Sequence, residues 1–294
     1  MKLKIPLKTI PRKSSQILGF VDEYRPVVRQ LRKTFTGIWF WLPLIAILVP
    51  GRIPPRDGIL RNWRNSHVIN VRLRAGGSLR CSLGEFFSVV EIYGQQVYNC
   101  PALNYVEAKT VVDIGANVGF ATVWLSHAAP NARIFAVEPD ERSAALLRDN
   151  VERAGLGNRV EIIVAAVGGN SGSGVFVRSP VSSTRSYVVP NCDTTLPPDG
   201  STVDAPGVVP VLTLAELIAI TGTIDVLKID CEGSEFDFFD SAPLSSLKEI
   251  GGIIGEYHLK FGDFETLKGE LSPGGFTVSS TSEDESVGIF LATS

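Results

Sequence analysis

Two periods of hydrophobic residues alternate along most of the chain. Short apolar runs, such as 110–116 and 133–138, are each followed by segments with apolar residues at helical spacing. Further apolar runs predict strands at 160–166, 224–230 and 250–257, and a closing strand pair at 276–280 and 287–292. Strands that alternate with helices predict an α/β fold with a mostly parallel sheet.

The segment before this body has a different pattern. From Val21 to Phe35, apolar residues recur every three or four positions and most basic residues lie off that face, which predicts a basic amphipathic helix. Such a helix is typical either of membrane-surface binding or of an ordinary helix docked on its own domain. Alternation on both sides of the Ala75–Ser78 turn predicts a β-hairpin over 66–83, and a helix follows over 84–93.

An uncharged and very apolar run, Gly37–Val49, separates the amphipathic segment from the hairpin. It is shorter than the roughly 20 residues that a spanning helix needs, and Pro43 interrupts it. Basic residues lie on both sides, so the positive-inside rule gives no orientation. We favour attachment of this run to one face of a membrane. Packing on the domain and a true span are the alternatives.

Charge divides the chain in a similar place. Residues 1–80 carry 16 basic and 3 acidic side chains, whereas the rest carries 12 basic and 28 acidic, and the formal net charge is -3. We predict a basic and apolar appendage (1–65), a hairpin and helix cap (66–105) and the α/β domain (106–294). Such asymmetry is typical of a surface-binding tail on a separate body. We expect a cytoplasmic protein, held at the inner membrane face by anionic lipids that contact residues 1–50, with no nucleic-acid partner.

A turn that contains glycines follows the first strand of the α/β domain. Asp113 lies near the end of the strand, and Gly115, Asn117 and Gly119 lead into the next helix, where glycines let the backbone approach a ligand closely. Glu138 ends the second strand, where a carboxylate can accept both hydroxyls of a ribose. A carboxylate beside the turn favours a nucleoside joined to a cationic amino acid. S-adenosylmethionine fits this description, and a nicotinamide dinucleotide fits less well because the turn is not GxGxxG.

Four motifs of the sequence resemble those of the FkbM-type methyltransferases, over about residues 95–293. They are Val111–Gly119, Val137–Pro139, Leu227–Gly233 with Glu235, and Glu256–His258. The resemblance implies a Rossmann-like class I methyltransferase fold, in which a seven-stranded, mostly parallel sheet ends with an antiparallel last strand. It also implies methyl transfer from S-adenosylmethionine to oxygen, on a sugar, a glycolipid or another natural product.

The same resemblance implies roles for individual residues at the strand ends. Around the methionine part of the cofactor it places Asp113, Gly115, Asn117 and Gly119. It places Glu138 at the ribose and Ala166 beside the adenine. Asp230, at the end of the fourth strand, is implied to face the methyl group.

An alcohol acceptor also needs a base that removes its proton. The candidates are acidic or imidazole side chains that follow the fourth and fifth strands: His258, Asp230, Glu232, Glu235 and Glu256. We favour His258, because an unperturbed histidine titrates at about pH 6.5, and then Asp230. A purely structural role remains the alternative for His258, and Glu232 has the alternative of holding its loop through backbone N–H groups.

Oxygen ligands with one imidazole would also suit a divalent ion such as magnesium. Their spacing matches no recognised ligand signature, so we predict no metal ligands. The four cysteines form no CxxC pair, and a structural zinc site is therefore not indicated. A non-catalytic lipid-binding or scaffold protein on the same fold is the main alternative to an enzyme, and a nicotinamide oxidoreductase is a third hypothesis.

Overall fold

The structure is a computed structural model that describes residues 26–36, 68–82, 85–177, 187–190, 207–283 and 287–294. The apolar run Gly37–Val49 lies outside the described residues. So does the part of the predicted amphipathic helix that precedes Pro26. The described residues form two compact units. The first contains those up to Asn99 together with Glu152–Gly155, and the second contains the rest.

In the first unit, the basic amphipathic segment forms a helix, α1 (26–34), that leads into a short strand, β1 (Phe35–Thr36). Its apolar face is buried: Leu31 and Phe35 have no solvent exposure, and the ring of Phe35 meets Tyr93 edge to face at 5.0 Å. Apolar burial of this kind is the main stabilising term for a short helix. The described part of this helix is therefore docked on its own unit, as one of the two interpretations of its sequence requires.

The predicted hairpin follows in the same unit. β2 (Val68–Leu73) and β3 (Ser78–Ser82) pair antiparallel, and β1 pairs antiparallel with the other edge of β2. Alternate residues of the hairpin, such as Val71 and Leu79, are buried, as the period-two pattern predicts. A short helix, α2 (Phe86–Val89), continues as a π-helix to Gln95.

The strands and helices of the second unit alternate as predicted, except over residues 160–212, whose described elements are all strands. The strands are β4 (Thr110–Ile114), β5 (Arg133–Val137), β6 (Val160–Ile163), β7 (Ala166–Val167), β8 (Gly172–Val177), β9 (Tyr187–Pro190), β10 (Gly207–Leu212), β11 (Val226–Ile229), β12 (Gly252–His258), β13 (Thr277–Glu283) and β14 (Val287–Thr293). The helices are α3 (Phe120–Ala128), α4 (Glu141–Arg153), α5 (Leu214–Thr221), α6 (Ser234–Asp240), α7 (Leu244–Leu247) and α8 (Phe264–Leu271). Within the described part of the chain, none of the helices has the length and apolar character to cross a membrane.

Seven of these strands form the main sheet, in the order β13-β14-β12-β11-β4-β5-β6. β14 runs antiparallel to both of its neighbours, and the other neighbouring pairs are parallel. The predicted fold, a mostly parallel seven-stranded sheet with an antiparallel last strand, is confirmed. The central strands β4 and β11 are almost wholly buried, which is why their sequences are continuous apolar runs.

The Gly, Ser, Thr and Pro content of residues 169–208 predicts hairpins and loops and no core. Antiparallel pairing is present there, but a second sheet also gives this segment a small core of its own. β7, β10, β8 and β9 pair in that order, and Phe176, Val209 and Val211 pack with Ala166 into a small apolar cluster. The third strand of the main sheet correspondingly ends at Ile163. The segment around Ala166 leaves the main sheet to pair with β10, so one apolar run supplies strands to two sheets.

Candidate active site

The glycine turn between β4 and α3 is held by close backbone packing. Gly115, Asn117 and Gly119 have left-handed backbone conformations, with φ of +70°, +50° and +89°. A Cβ at Gly115 would overlap the carbonyl oxygen of Asp230, and a Cβ at Gly119 would overlap the Leu147 side chain of α4. The fold of the turn itself therefore requires both glycines, since only glycine adopts such conformations without strain.

Beneath the turn, Asp113 and Lys228 form an ion pair that is almost completely buried. Lys228 Nζ lies 3.0 Å from Asp113 Oδ1, and it donates hydrogen bonds to the carbonyl oxygens of Ile114 and Gly115, each at 3.1 Å. Thr122 Oγ1 donates to the other oxygen of Asp113 at 2.6 Å. Burial lowers the pKa of Lys228, but the carboxylates around it outweigh burial and hold the pKa above its usual value. Lys228 thus ties the turn to β11.

Glu138 lies at the end of β5 with both carboxylate oxygens accepting backbone hydrogen bonds. Its Oε2 accepts from Asn117 N at 2.8 Å, and its Oε1 accepts from Asp140 N at 2.9 Å. The side chain is 6% exposed. Burial raises the pKa of Glu138 to about 7, although the two backbone N–H groups act in the opposite direction. The carboxylate is therefore built into the glycine turn and sits close to its titration point at neutral pH.

The sheet register brings the strand-end residues to one edge. Ile114 of β4 is level with Val137 of β5 and with Ile229 of β11. Ile229 is in turn level with Gly255 of β12. The residues that follow these positions therefore line the carboxyl edge of the sheet: Gly115, Glu138, Asp230 and Glu256.

The loop from β11 into α6 is organised around Glu235, which has no solvent exposure. Its Oε2 accepts from Gly233 N at 2.8 Å, and its Oε1 accepts from His258 N at 2.9 Å. Glu232 adopts a left-handed conformation with φ of +57°, which is uncommon for a side chain other than glycine. Backbone strain of this kind clusters at functional sites.

His258 lies at the end of β12 between two carboxylates. Its Nδ1 is 2.8 Å from Glu235 Oε1, and its Nε2 is 3.3 Å from Glu232 Oε2. Burial lowers the pKa of His258, but the hydrogen bond to Glu235 and the negative charges of Glu235, Asp230 and Glu232 raise it to about 9. The imidazole is thus cationic at neutral pH with these neighbours. Glu232 contacts His258 here, and the N–H group of Gly233 in the same loop donates to Glu235.

Two further carboxylates approach the same imidazole. One ligand atom each of Asp230, Glu256 and His258 lies within 4.8 Å of the other two. Of the residues proposed for catalysis, the structure thus brings Asp230, Glu232 and His258 together, with Glu256 and Glu235 around them.

Ala166 is set apart from this group. Its side chain is 4% exposed and packs into the apolar cluster of the second sheet. Only its backbone is therefore available for the contact with adenine that we predicted.

Lys228 was not predicted as a site residue. Its signals were its place in the Leu227–Gly233 motif and a charged side chain inside the apolar run Val226–Ile229. Lysine is almost never fully buried without a partner, so its position in that run implied a buried acid nearby.

The fold and the strand-end carboxylates define a class, the α/β proteins that bind ligands at the carboxyl ends of parallel strands. Residues 113–277, more than half of the chain, match the family model of the methyltransferase FkbM domain. The chain belongs to this methyltransferase family. Its domain is an S-adenosylmethionine-dependent methyltransferase domain, as the motifs predicted.

Two curated relatives are catechol O-methyltransferases. That of Mycobacterium tuberculosis (strain ATCC 25618 / H37Rv) is 35% identical over 71 residues, which are 24% of this chain and 32% of the relative. That of Niastella koreensis (strain DSM 17620 / KACC 11465 / NBRC 106392 / GR20-10) is 37% identical over 57 residues, 19% of this chain and 26% of the relative. The chain thus spans about a third or less of the length of these relatives.

Among solved structures, the precorrin-6y C5,15-methyltransferase of Geobacter metallireducens GS-15 is similar with a TM-score of 0.37 and 16% identity. The similarity covers 65% of this chain and 84% of that one.

Proposed function

We propose that this protein transfers the methyl group of S-adenosylmethionine to a hydroxyl oxygen of a sugar, a glycolipid or another hydroxylated natural product. The observation that carries the proposal is the group formed by Asp230, Glu256 and His258 at the carboxyl edge of the sheet. Hydrogen-bond acceptors concentrated there suit a neutral, hydroxylated acceptor and repel an anionic one. The partial similarity to two catechol O-methyltransferases also favours oxygen as the acceptor atom.

The cofactor would bind between the glycine turn and the end of β5. Glu138 would accept hydrogen bonds from the ribose hydroxyls through the lone pairs that Asn117 N and Asp140 N leave available. Asp113 is fully buried and paired with Lys228, so we infer that it acts through the turn and does not contact the amino group of the cofactor. Gly115, Asn117 and Gly119 would supply the backbone that faces the methionine part.

The reaction is an in-line displacement. The acceptor oxygen forms a bond to the methyl carbon as the carbon–sulfur bond breaks, and S-adenosylhomocysteine leaves. The acceptor proton goes to a group at the cluster. The candidates are the Asp230 carboxylate and His258, which can act as a base only after it has lost its own Nε2 proton. Positioning of the two reactants supplies much of the rate, and general-base catalysis contributes typically 10²–10⁴-fold.

The proposal is tested by incubating the purified full chain with S-adenosylmethionine and a panel of hydroxylated acceptors. S-adenosylhomocysteine and a product one methylene heavier are the expected outcome. The methyl ether should survive mild alkali, whereas a methyl ester would hydrolyse. Asp230→Asn should lower turnover by at least 10²-fold and keep cofactor binding by calorimetry, and Glu265→Gln on the exposed side of α8 is the matched control. A product methylated on nitrogen or on a carboxylate would refute the proposed hydroxyl methylation. Cofactor binding without any turnover would also refute it and would favour the non-catalytic alternative.

The charge distribution supports a second proposal, contact of the basic N-terminal segment with an anionic membrane surface. Arg29, Arg32 and Lys33 are exposed on α1, and attraction to anionic lipids is worth about 1 kcal/mol per basic residue near the surface. Because Leu31 and Phe35 belong to the core of the first unit, deletion of α1 would disturb that unit. Charge reversal of the three basic residues is the cleaner test. Unchanged binding to phosphatidylserine vesicles would contradict the proposal.

A further inference from the structure

Glu256 and His258 occupy alternate positions of β12, and Asp230 follows the neighbouring strand β11. Side chains two positions apart in a strand point to the same face of the sheet, so both β12 residues turn towards Asp230. One ligand atom from each of the three lies within 4.8 Å of the others. Three ligands of a metal ion, each about 2.1 Å from it, would fall within such a spacing.

The orientation of the imidazole leaves one nitrogen for a ligand role. His258 Nδ1 is bonded to Glu235 Oε1 at 2.8 Å, and Glu235 is held by the backbone N–H groups of Gly233 and His258. Nδ1 therefore donates its proton to Glu235, and Nε2 is the nitrogen that binds a cation, which must displace the proton that Nε2 carries at neutral pH. Histidines that bind metals are almost always fixed in this way, by a carboxylate or a carbonyl on their second nitrogen.

The charges at this edge of the sheet favour a cation. Asp230, Glu232 and Glu256 are half-buried acids around one imidazole, and Glu232 Oε2 lies 3.3 Å from its Nε2. The buried cation Lys228 also attracts Asp230 and Glu256, but its ammonium group lies against Asp113, 3.0 Å from Oδ1. Half-buried charges are screened less by salt than exposed ones, so an ion of charge +2 would remove a substantial repulsion.

We propose that Asp230, Glu256 and Nε2 of His258 form a binding site for a divalent metal ion, with Glu235 as a positioning residue. The mixture of two carboxylates and one imidazole favours a first-row transition ion such as Mn²⁺ over Mg²⁺. If the proposed function holds, such an ion would bind the acceptor hydroxyl and lower its pKa, which removes the need for a strong base. The inference about this role rests on the proposed function, and the inference about the site does not.

Binding is tested with Mn²⁺ alone, added to the full chain without cofactor or acceptor. The free ion is followed by electron paramagnetic resonance, and one bound ion per chain is expected. Glu256→Gln and His258→Gln should abolish this binding, and Glu235→Gln should weaken it by 10–100-fold, the usual effect of losing the partner of a metal-binding histidine. Glu265→Gln should bind as the wild type does. Cofactor binding by calorimetry confirms that each variant is folded.

A second readout separates a direct ligand from a structural role. Co²⁺ bound by the wild type should give a visible absorption spectrum that is lost or shifted in His258→Gln, because the nitrogen ligand is gone. Absence of Mn²⁺ and Co²⁺ binding by the wild type, or equal affinity in Glu256→Gln and His258→Gln, would overturn the proposed site. Bound ion without methyl transfer would instead refute the proposed function and leave the site standing.

Discussion

Replacement of Lys228 by methionine should destabilise the fold more than the loss of any exposed charge. Methionine keeps the length of the buried stem but leaves the Asp113 carboxylate without its cation. Removal of one partner from a buried pair costs about 3–5 kcal/mol, because the remaining charge stays buried and uncompensated. The substitution also removes two hydrogen bonds to the carbonyl oxygens of Ile114 and Gly115. Ile114 O still accepts from Asp230 N, so we expect the ion pair to dominate the loss.

Urea unfolding at pH 7.5 measures the effect, with the slope of the transition as a check that both proteins unfold in the same way. The double variant Lys228→Met with Asp113→Asn restores charge balance beneath the turn. It should therefore be more stable than Lys228→Met alone, by 1 kcal/mol or more. Arg133→Met, which removes an exposed ion pair with Glu161, serves as the control and should cost less than about 1 kcal/mol.

Two results would contradict this reasoning. One is a loss of less than about 1 kcal/mol in Lys228→Met, since the buried carboxylate would then be tolerated without its cation. The other is a double variant no more stable than Lys228→Met, because the cost would then come from packing and not from charge. Calorimetry with S-adenosylmethionine completes the test. Weaker cofactor binding is expected in Lys228→Met even where the protein remains folded, since the turn has lost its tie to β11.

Three further outcomes are expected. Burial raises the pKa of Glu138 to about 7, so the affinity for S-adenosylmethionine should rise from pH 6 to pH 8 as the carboxylate ionises. The same rise in affinity in the variant Glu138→Gln would contradict this explanation. Gly115→Ala places a Cβ against the Asp230 carbonyl at positive φ and should lower stability by more than about 1 kcal/mol, whereas Gly157→Ala, with open space at its Cβ, should not. Thr213→Ala removes the capping box of α5 and should lower the free energy of unfolding in urea by about 1 kcal/mol. An unchanged midpoint would show that the capping box does not stabilise the protein.

The fold was predictable because its signals are local and repeated. Most strands of the main sheet are short apolar runs with a turn at the end, and the capping box at Thr213 marks the start of α5. The resemblance supplied the antiparallel direction of β14, which periodicity alone does not determine. For the second sheet only hairpins and loops were predicted, without a core, because β8 begins in a Gly-Ser-Gly sequence, where only Val175–Val177 carries a strand signal.

The site was predictable as a set of positions and less so as a set of contacts. Strand ends locate Asp113, Glu138 and Asp230, since parallel strands finish at one edge of the sheet. Which partner each acid takes depends on contacts between residues far apart in sequence, such as Asp113 with Lys228. For the same reason the group Asp230, Glu256 and His258 matches no linear ligand signature, because two adjacent strands supply it.

The tie between Lys228 and the glycine turn has a consequence for the order of synthesis. The two are 114 positions apart, so the turn leaves the ribosome long before the lysine that holds it has been made. At 5–20 residues per second the interval is roughly 6–23 s. Since a ligand stabilises the state that it binds, and binding should be weaker without Lys228, S-adenosylmethionine should favour chains that already extend past Lys228. Occupancy of the cofactor site would then be higher in chains that extend past Lys228 than in chains truncated before it.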